Sequence, residues 1–140
     1  MNPKRYGLWA AGTVIFLQAL SMIALAAFDF DISNAGMIII PPMVASMIEG
    51  QKWVRENKTM PETKDMWRWS RMGGVIILGV YMIAFVILAF LMPEFRNVMA
   101  QPALTGWLLL MLFAISGFSI LVNRWFLGIA ARSEFARLNK

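Results

Sequence analysis

Four apolar segments alternate with polar ones along the chain. Residues 7–28 carry no charge, and at 1.5 Å per residue they reach about 33 Å, enough to cross a hydrocarbon core of about 30 Å. Residues 72–92 and 103–122 are uncharged runs of similar length. The second segment differs. Only 14 residues, 35–48, precede Glu49, and Pro41 and Pro42 interrupt them. Tandem prolines remove two backbone donors and crowd the preceding turn. Two arrangements are open: a kinked span over about 35–55, or an extended 37–40 followed by a helix starting at the prolines. The second needs protein cover, because unpaired backbone cannot face lipid, so the kinked span is the expectation. The pattern predicts an all-α polytopic integral membrane protein with four transmembrane helices at about 7–28, 35–55, 72–92 and 103–123, the second short or kinked.

The longest polar run, residues 49–71, divides the segments into two pairs and holds six of the thirteen basic residues. Two more lie at Lys4 and Arg5, and four from Arg124 onward; only Arg96 lies between the third and fourth segments. Short loops rich in Lys and Arg stay cytoplasmic. The expected topology therefore places both termini and a loop over 56–71 inside, with an amphipathic tail over 124–140 offering Phe126, Ile129 and Phe135 to the membrane surface. The 140 residues form one transmembrane domain. Ser33 or Asn34 is expected to cap the second helix. Thr59, Pro61 and Thr63 signal a turn, with the third helix starting at Glu62 or Thr63.

Composition agrees with this solvent. The chain is 59% hydrophobic with a mean hydropathy of +0.63, against roughly 45–50% apolar residues in soluble domains. The net charge of +5 could suit nucleic acid, but a nucleic-acid reader gathers its basic groups on a folded polar face. Here they flank apolar runs, and no nucleic-acid partner is expected. Cysteine and histidine are absent, which removes disulfides, thiolate chemistry, His-ligated haem and the usual zinc sites. Serine nucleophiles have no His base, and neither G-x-G-x-x-G nor a P-loop occurs. No enzyme activity, metal or intrinsic cofactor is expected; lipid or pigment could bind at helix surfaces.

Several residues stand out against the apolar background. Gln18 lies mid-span and should seek a partner on another helix. Pro41, Pro42, Glu49, Gln51 and Trp53, in the irregular second segment, are expected to contact another helix or a partner. Glu49 falls near the membrane edge, where Lys52 and Trp53 share its helical face, so an interfacial pair with Lys52 is the cheaper reading beside a functional carboxylate. Gly73, Gly74 and Gly79 suggest close helix approach. Interfacial positions are expected for Tyr6, Trp9, Trp67, Arg68, Trp69, Arg71, Trp107, Arg124 and Trp125. Trp107 and Trp125 are about 27 Å apart on a helix, which matches two aromatic belts.

With Pro41-Pro42, then Glu49-Gly50-Gln51 and Trp53, then Pro61-Glu62 and Trp67, the chain resembles an uncharacterised family of small four-span bacterial inner-membrane proteins. The resemblance implies a bacterial plasma membrane and carries no activity. Together with the missing chemistry, it leads to the expectation of a non-catalytic accessory or assembly subunit of a larger membrane complex, of photosynthetic reaction-centre, antenna or respiratory type. A stand-alone small transporter, or a toxin-immunity membrane protein, is the alternative.

Overall fold

A computed structural model of the chain describes residues 2–29 and 35–139, without the side chains of residues 35, 94 and 98. Four long helices, α1 (Pro3–Phe28), α2 (Ala35–Asn57), α3 (Thr63–Leu91) and α5 (Pro102–Leu138), and one short helix, α4 (Pro93–Met99), make up nearly all of it. Their ends follow local chemistry. Pro3 fills the first turn of α1, where a missing N–H costs nothing, and Asn2 Oδ1 accepts from the N–H groups of Lys4 and Arg5. Asp29 ends α1 and Lys58 ends α2 with positive φ of 52° and 55°. The helix expected to start at Glu62 or Thr63 does so, with Glu62 as its cap residue. The cap expected at Ser33 or Asn34 lies outside the described residues.

The long helices form a ring in the order α1, α2, α5, α3. Neighbours in this ring run alternately antiparallel and parallel: α2 descends beside α5, so that Gly50 lies against Leu127 and Arg55 reaches Glu134. α1 ascends beside α3, with Gly7 against Ile76. The α2–α5 seam is the most extensive. Its residues follow helical spacing: Ala45, Ser46, Glu49, Gly50 and Val54 on one side, Asn123, Leu127, Ala130, Ala131 and Glu134 on the other, all buried. A Cβ on Gly50 would stand 2.7 Å from the Leu127 carbonyl oxygen, so the backbones meet there because Gly50 has no side chain.

α1, α3 and α5 are long and apolar enough to cross a membrane, and the chain has the build of a multi-pass membrane protein. Only 6% of the apolar window of α1, and 11% of those of α3 and α5, is buried within the chain, so these helices need an apolar solvent. α2 is not in that class, because its second half carries Glu49, Lys52, Arg55 and Glu56. It is also short. From Arg5, level with Glu49, α1 climbs about 34 Å to Phe28, whereas α2 covers only about 21 Å between Glu49 and Ala35. The upper part of the bundle thus rests on α1, α3 and α5. There α4 folds back on α3, with Phe95 edge-on to Phe85 at 4.9 Å between ring centroids.

The two prolines do not break α2, which is helical through Pro41 and Pro42. Pro42 has no N–H for the Ile38 carbonyl four residues earlier. Tyr81 Oη of α3 donates to that carbonyl at 3.2 Å. A helix from across the ring therefore supplies the hydrogen bond that Pro42 removed, as buried backbone in lipid requires. Both prolines are buried, and the extended alternative for 37–40 is not adopted.

Two further expectations change. The segment 56–71 is mostly the first turns of α3, leaving only residues 58–62 between helices. The tail expected over 124–140 to offer itself to the membrane surface is, as far as Leu138, the continuation of α5 and buries Leu127, Gly128, Ala130, Ala131 and Glu134 in the bundle, while Ile129 stays exposed.

Candidate functional site

The helix ends that carry most of the charge converge, and Glu49 lies at their centre. Its side chain is 2% exposed. Arg5 Nε donates to Oε1 and Arg5 Nη2 to Oε2 at 2.9 Å. The Asn2 backbone N–H donates to Oε2 at 2.9 Å. A fork-on-fork pair of this kind is among the strongest protein hydrogen bonds, and it ties the start of α1 to α2. Lys52 is not the partner expected from its i+3 position: it reaches Glu56 instead, at 3.9 Å and largely exposed. Arg5 also approaches Glu56, at 3.9 Å. Helix spacing made Lys52 the local candidate, but a bidentate guanidinium compensates a buried carboxylate better than a solvated ammonium.

Beside this pair, Tyr6 Oη donates to Asn123 Oδ1 at 2.7 Å, joining α1 to α5 across the ring. Tyr6 is buried, not interfacial as expected. Asn123 Nδ2 is buried with no partner among the described residues and lies 2.5 Å from where a Gly73 Cβ would stand. Tyr6, Ser46, Glu49, Trp69, Gly73 and Asn123 line a cavity of about 10 Å³, the size of one water molecule. Gly74 is the next close approach: Ser116 Oγ donates to its carbonyl at 2.7 Å, and a Cβ there would meet Ile120.

Farther along the same end, Arg55 Nε donates to Glu134 Oε1 at 2.8 Å and Arg137 Nη2 to the same oxygen at 2.6 Å. The uncharged run of α5 ends before Arg124, and Glu134 lies ten residues farther along the helix. The hydrogen bond from Arg55, helped by Arg137, holds the Glu134 carboxyl below the usual carboxylate range.

Closer to the apolar part, the Arg124 guanidinium stacks over Trp67, 5.8 Å from the ring centroid, and its Nη1 donates to Met66 Sδ at 3.4 Å. Arg68 and Arg71 are exposed. Trp67 is 42% exposed and Trp69 half-buried. Trp9, Trp107 and Trp125 are exposed on α1 and α5.

Of the expected helix contacts, Pro41, Pro42, Glu49, Gly73 and Gly74 meet in the packed interior. Gln51 is half-buried, as is Trp53, whose Nε1 has no partner among the described residues. Gln18 is exposed on α1 instead of paired with another helix of the chain. Gly79 faces open space. Both therefore lie on surfaces turned away from the bundle. Sequence reading missed Arg5, Asn2, Asn123, Gly50 and Tyr81. Only Tyr81 left a trace: a proline pair in a membrane helix demands a donor from elsewhere, and the chain has just two tyrosines.

In chemical terms the site is a lock. Glu49 has its charge neutralised and three hydrogen bonds in place, and the space beside it admits nothing larger than water. The chain matches no protein-family model, no curated protein and no solved structure.

Proposed function

We propose that the chain is a non-catalytic accessory or assembly subunit of a larger complex in the bacterial inner membrane, crossing four times with both termini in the cytoplasm. The observation that carries this reading is the unequal division of the molecule. Its charged end is closed on itself by Arg5–Glu49, Tyr6–Asn123 and Arg55–Glu134. The apolar end offers outward most of α1, α3 and α5, with large side chains such as Phe16, Phe90 and Phe113 more than 60% exposed. Between α1 and α3 that surface dips into an apolar groove of about 130 Å³ lined by Ala and β-branched side chains, Ala11, Val14, Ile15, Val80, Ile83, Ala84 and Ile87. Such relief gives the side chains of a neighbouring helix a place to pack, and packing is what drives helix association in lipid. The transporter alternative would use Glu49, but its carboxylate is held by Arg5 and the Asn2 N–H, and the space beside it is the size of one water molecule.

The topology rests on twelve of thirteen basic residues gathering at one end. Since the chain has no cysteine, Met60→Cys provides a single label site, and an impermeant thiol reagent added to intact cells should leave it unmodified. Purification in mild detergent followed by mass spectrometry tests the function. Stoichiometric recovery with one large membrane complex is the expected result, and recovery as a lone homo-oligomer would remove the reading.

A further inference from the structure

Arg124 differs from the other half-buried arginine of the charged end, Arg5, which holds a carboxylate. Even the more exposed Arg55 and Arg137 share Glu134. Among the described residues Arg124 has the Met66 thioether, a weak acceptor, and the Trp67 face, with no carboxylate. Its Nε is buried and unpartnered among them. That N–H has lost water without gaining an acceptor, and the half-buried guanidinium is under-compensated.

Its surroundings are built to hold it there. Arg124 is the first charged residue of α5 after the uncharged run 103–123, and its side chain runs toward the charged end, with Nη1 3.3 Å from where a Gly128 Cβ would stand. This is the snorkelling of a long basic side chain to the bilayer edge, with Gly128 leaving room for the head. Trp67 offers its indole at the same level, and Arg71 follows one helical turn along α3, exposed.

From this geometry we infer that Arg124, Trp67 and Arg71 form a site for the phosphodiester of an anionic phospholipid in the leaflet at the charged end. The guanidinium donates to the phosphate oxygens, the indole packs on the glycerol region, and Arg71 adds charge from α3. No bond is made or broken. The site is independent of whether the chain joins a larger complex.

Native mass spectrometry of the full chain in mild detergent, titrated with phosphatidylglycerol or phosphatidylcholine, tests the assignment. Wild type should retain phosphatidylglycerol in preference to phosphatidylcholine. Arg124→Gln should weaken that retention about fivefold, the equivalent of about 1 kcal/mol for one basic residue at an anionic surface. Arg132→Gln, which removes the same charge from an exposed position, should leave it unchanged. Gly128→Ala keeps every charge but crowds the guanidinium; it should also weaken retention, and it carries the test should Arg124→Gln fail to fold. Equal loss in Arg124→Gln and Arg132→Gln, undiminished retention in Arg124→Gln and Gly128→Ala, or equal retention of the two lipids would overturn the site. Displacement by millimolar inorganic phosphate would overturn its assignment to lipid.

Discussion

Replacing Glu49 by Gln keeps the shape of the side chain but removes the charge that Arg5 answers. Breaking a buried pair from one side costs about 3–5 kcal/mol, because the other charge is left uncompensated. Arg5 is 23% exposed and regains part of its hydration, so the loss falls to the lower end of that range or just below it, about 2–3 kcal/mol. Reversible unfolding in mixed micelles, followed by far-ultraviolet circular dichroism, measures the loss. A double-mutant cycle with Arg5→Gln isolates the pair: the double variant should be little less stable than either single one, with a coupling of about 2 kcal/mol. Lys52→Gln, which removes only an exposed contact with Glu56 at 3.9 Å, should cost no more than about 0.5 kcal/mol. A Glu49→Gln variant within about 0.5 kcal/mol of wild type, or a coupling near zero, would refute the account of Glu49 as the lock between α1 and α2.

Tyr81→Phe leaves the Ile38 carbonyl without its donor and should destabilise by about 1 kcal/mol; in a Pro42→Ala background, where residue 42 regains its N–H, the same change should cost markedly less in the same unfolding assay. Gly50→Ala should cost about 2 kcal/mol or more, because the new Cβ meets backbone, whereas Gly79→Ala meets nothing and should be neutral or stabilising through helix propensity. The folded-state pKa of Glu134 is lowered, so its contribution is complete above the ordinary carboxylate value of about 4.3 and is lost as pH falls through the lower folded value. The melting temperatures of wild type and Glu134→Gln should therefore differ at neutral pH and converge in acid; a gap that widens on acidification would contradict the sign.

The parts of this fold legible in the sequence are those governed by solvent. Uncharged runs of about 20 residues announce α1, α3 and α5, because exclusion from water acts on each helix alone. The α2 prolines were legible as a problem but not in their solution, since the Ile38 carbonyl is satisfied by Tyr81, 43 positions away. Local reading favoured a Lys52 partner for Glu49 because i+3 spacing is all that a single helix offers. The actual partner comes from α1, which nothing local to Glu49 could specify. Gly73 and Gly74 stood out as a pair; Gly50 looked like one glycine among ten, and only the Leu127 carbonyl gives it meaning.

The distribution of acids explains how one end can hold so many cations and still be packed. Among the described residues three carboxylates act in ion pairs: Glu49 and Glu56 on α2, and Glu134 on α5. Between them they hold Arg5, Lys52, Arg55 and Arg137. Charge thus fastens α1 to α2 and α2 to α5. α3 is fastened differently, through the close approach at Gly73 and Gly74, the Ser116 hydrogen bond, and the stacking of Arg124 on Trp67. Its Lys64, Arg68 and Arg71 are in no ion pair among the described residues and stand exposed. Beside Arg124 they give the α3 side unpaired positive charge, as Lys4, Lys58 and Arg132 do elsewhere at this end. An anionic membrane surface would complete that side as Glu49 and Glu134 complete the other, and each basic residue near such a surface contributes about 1 kcal/mol.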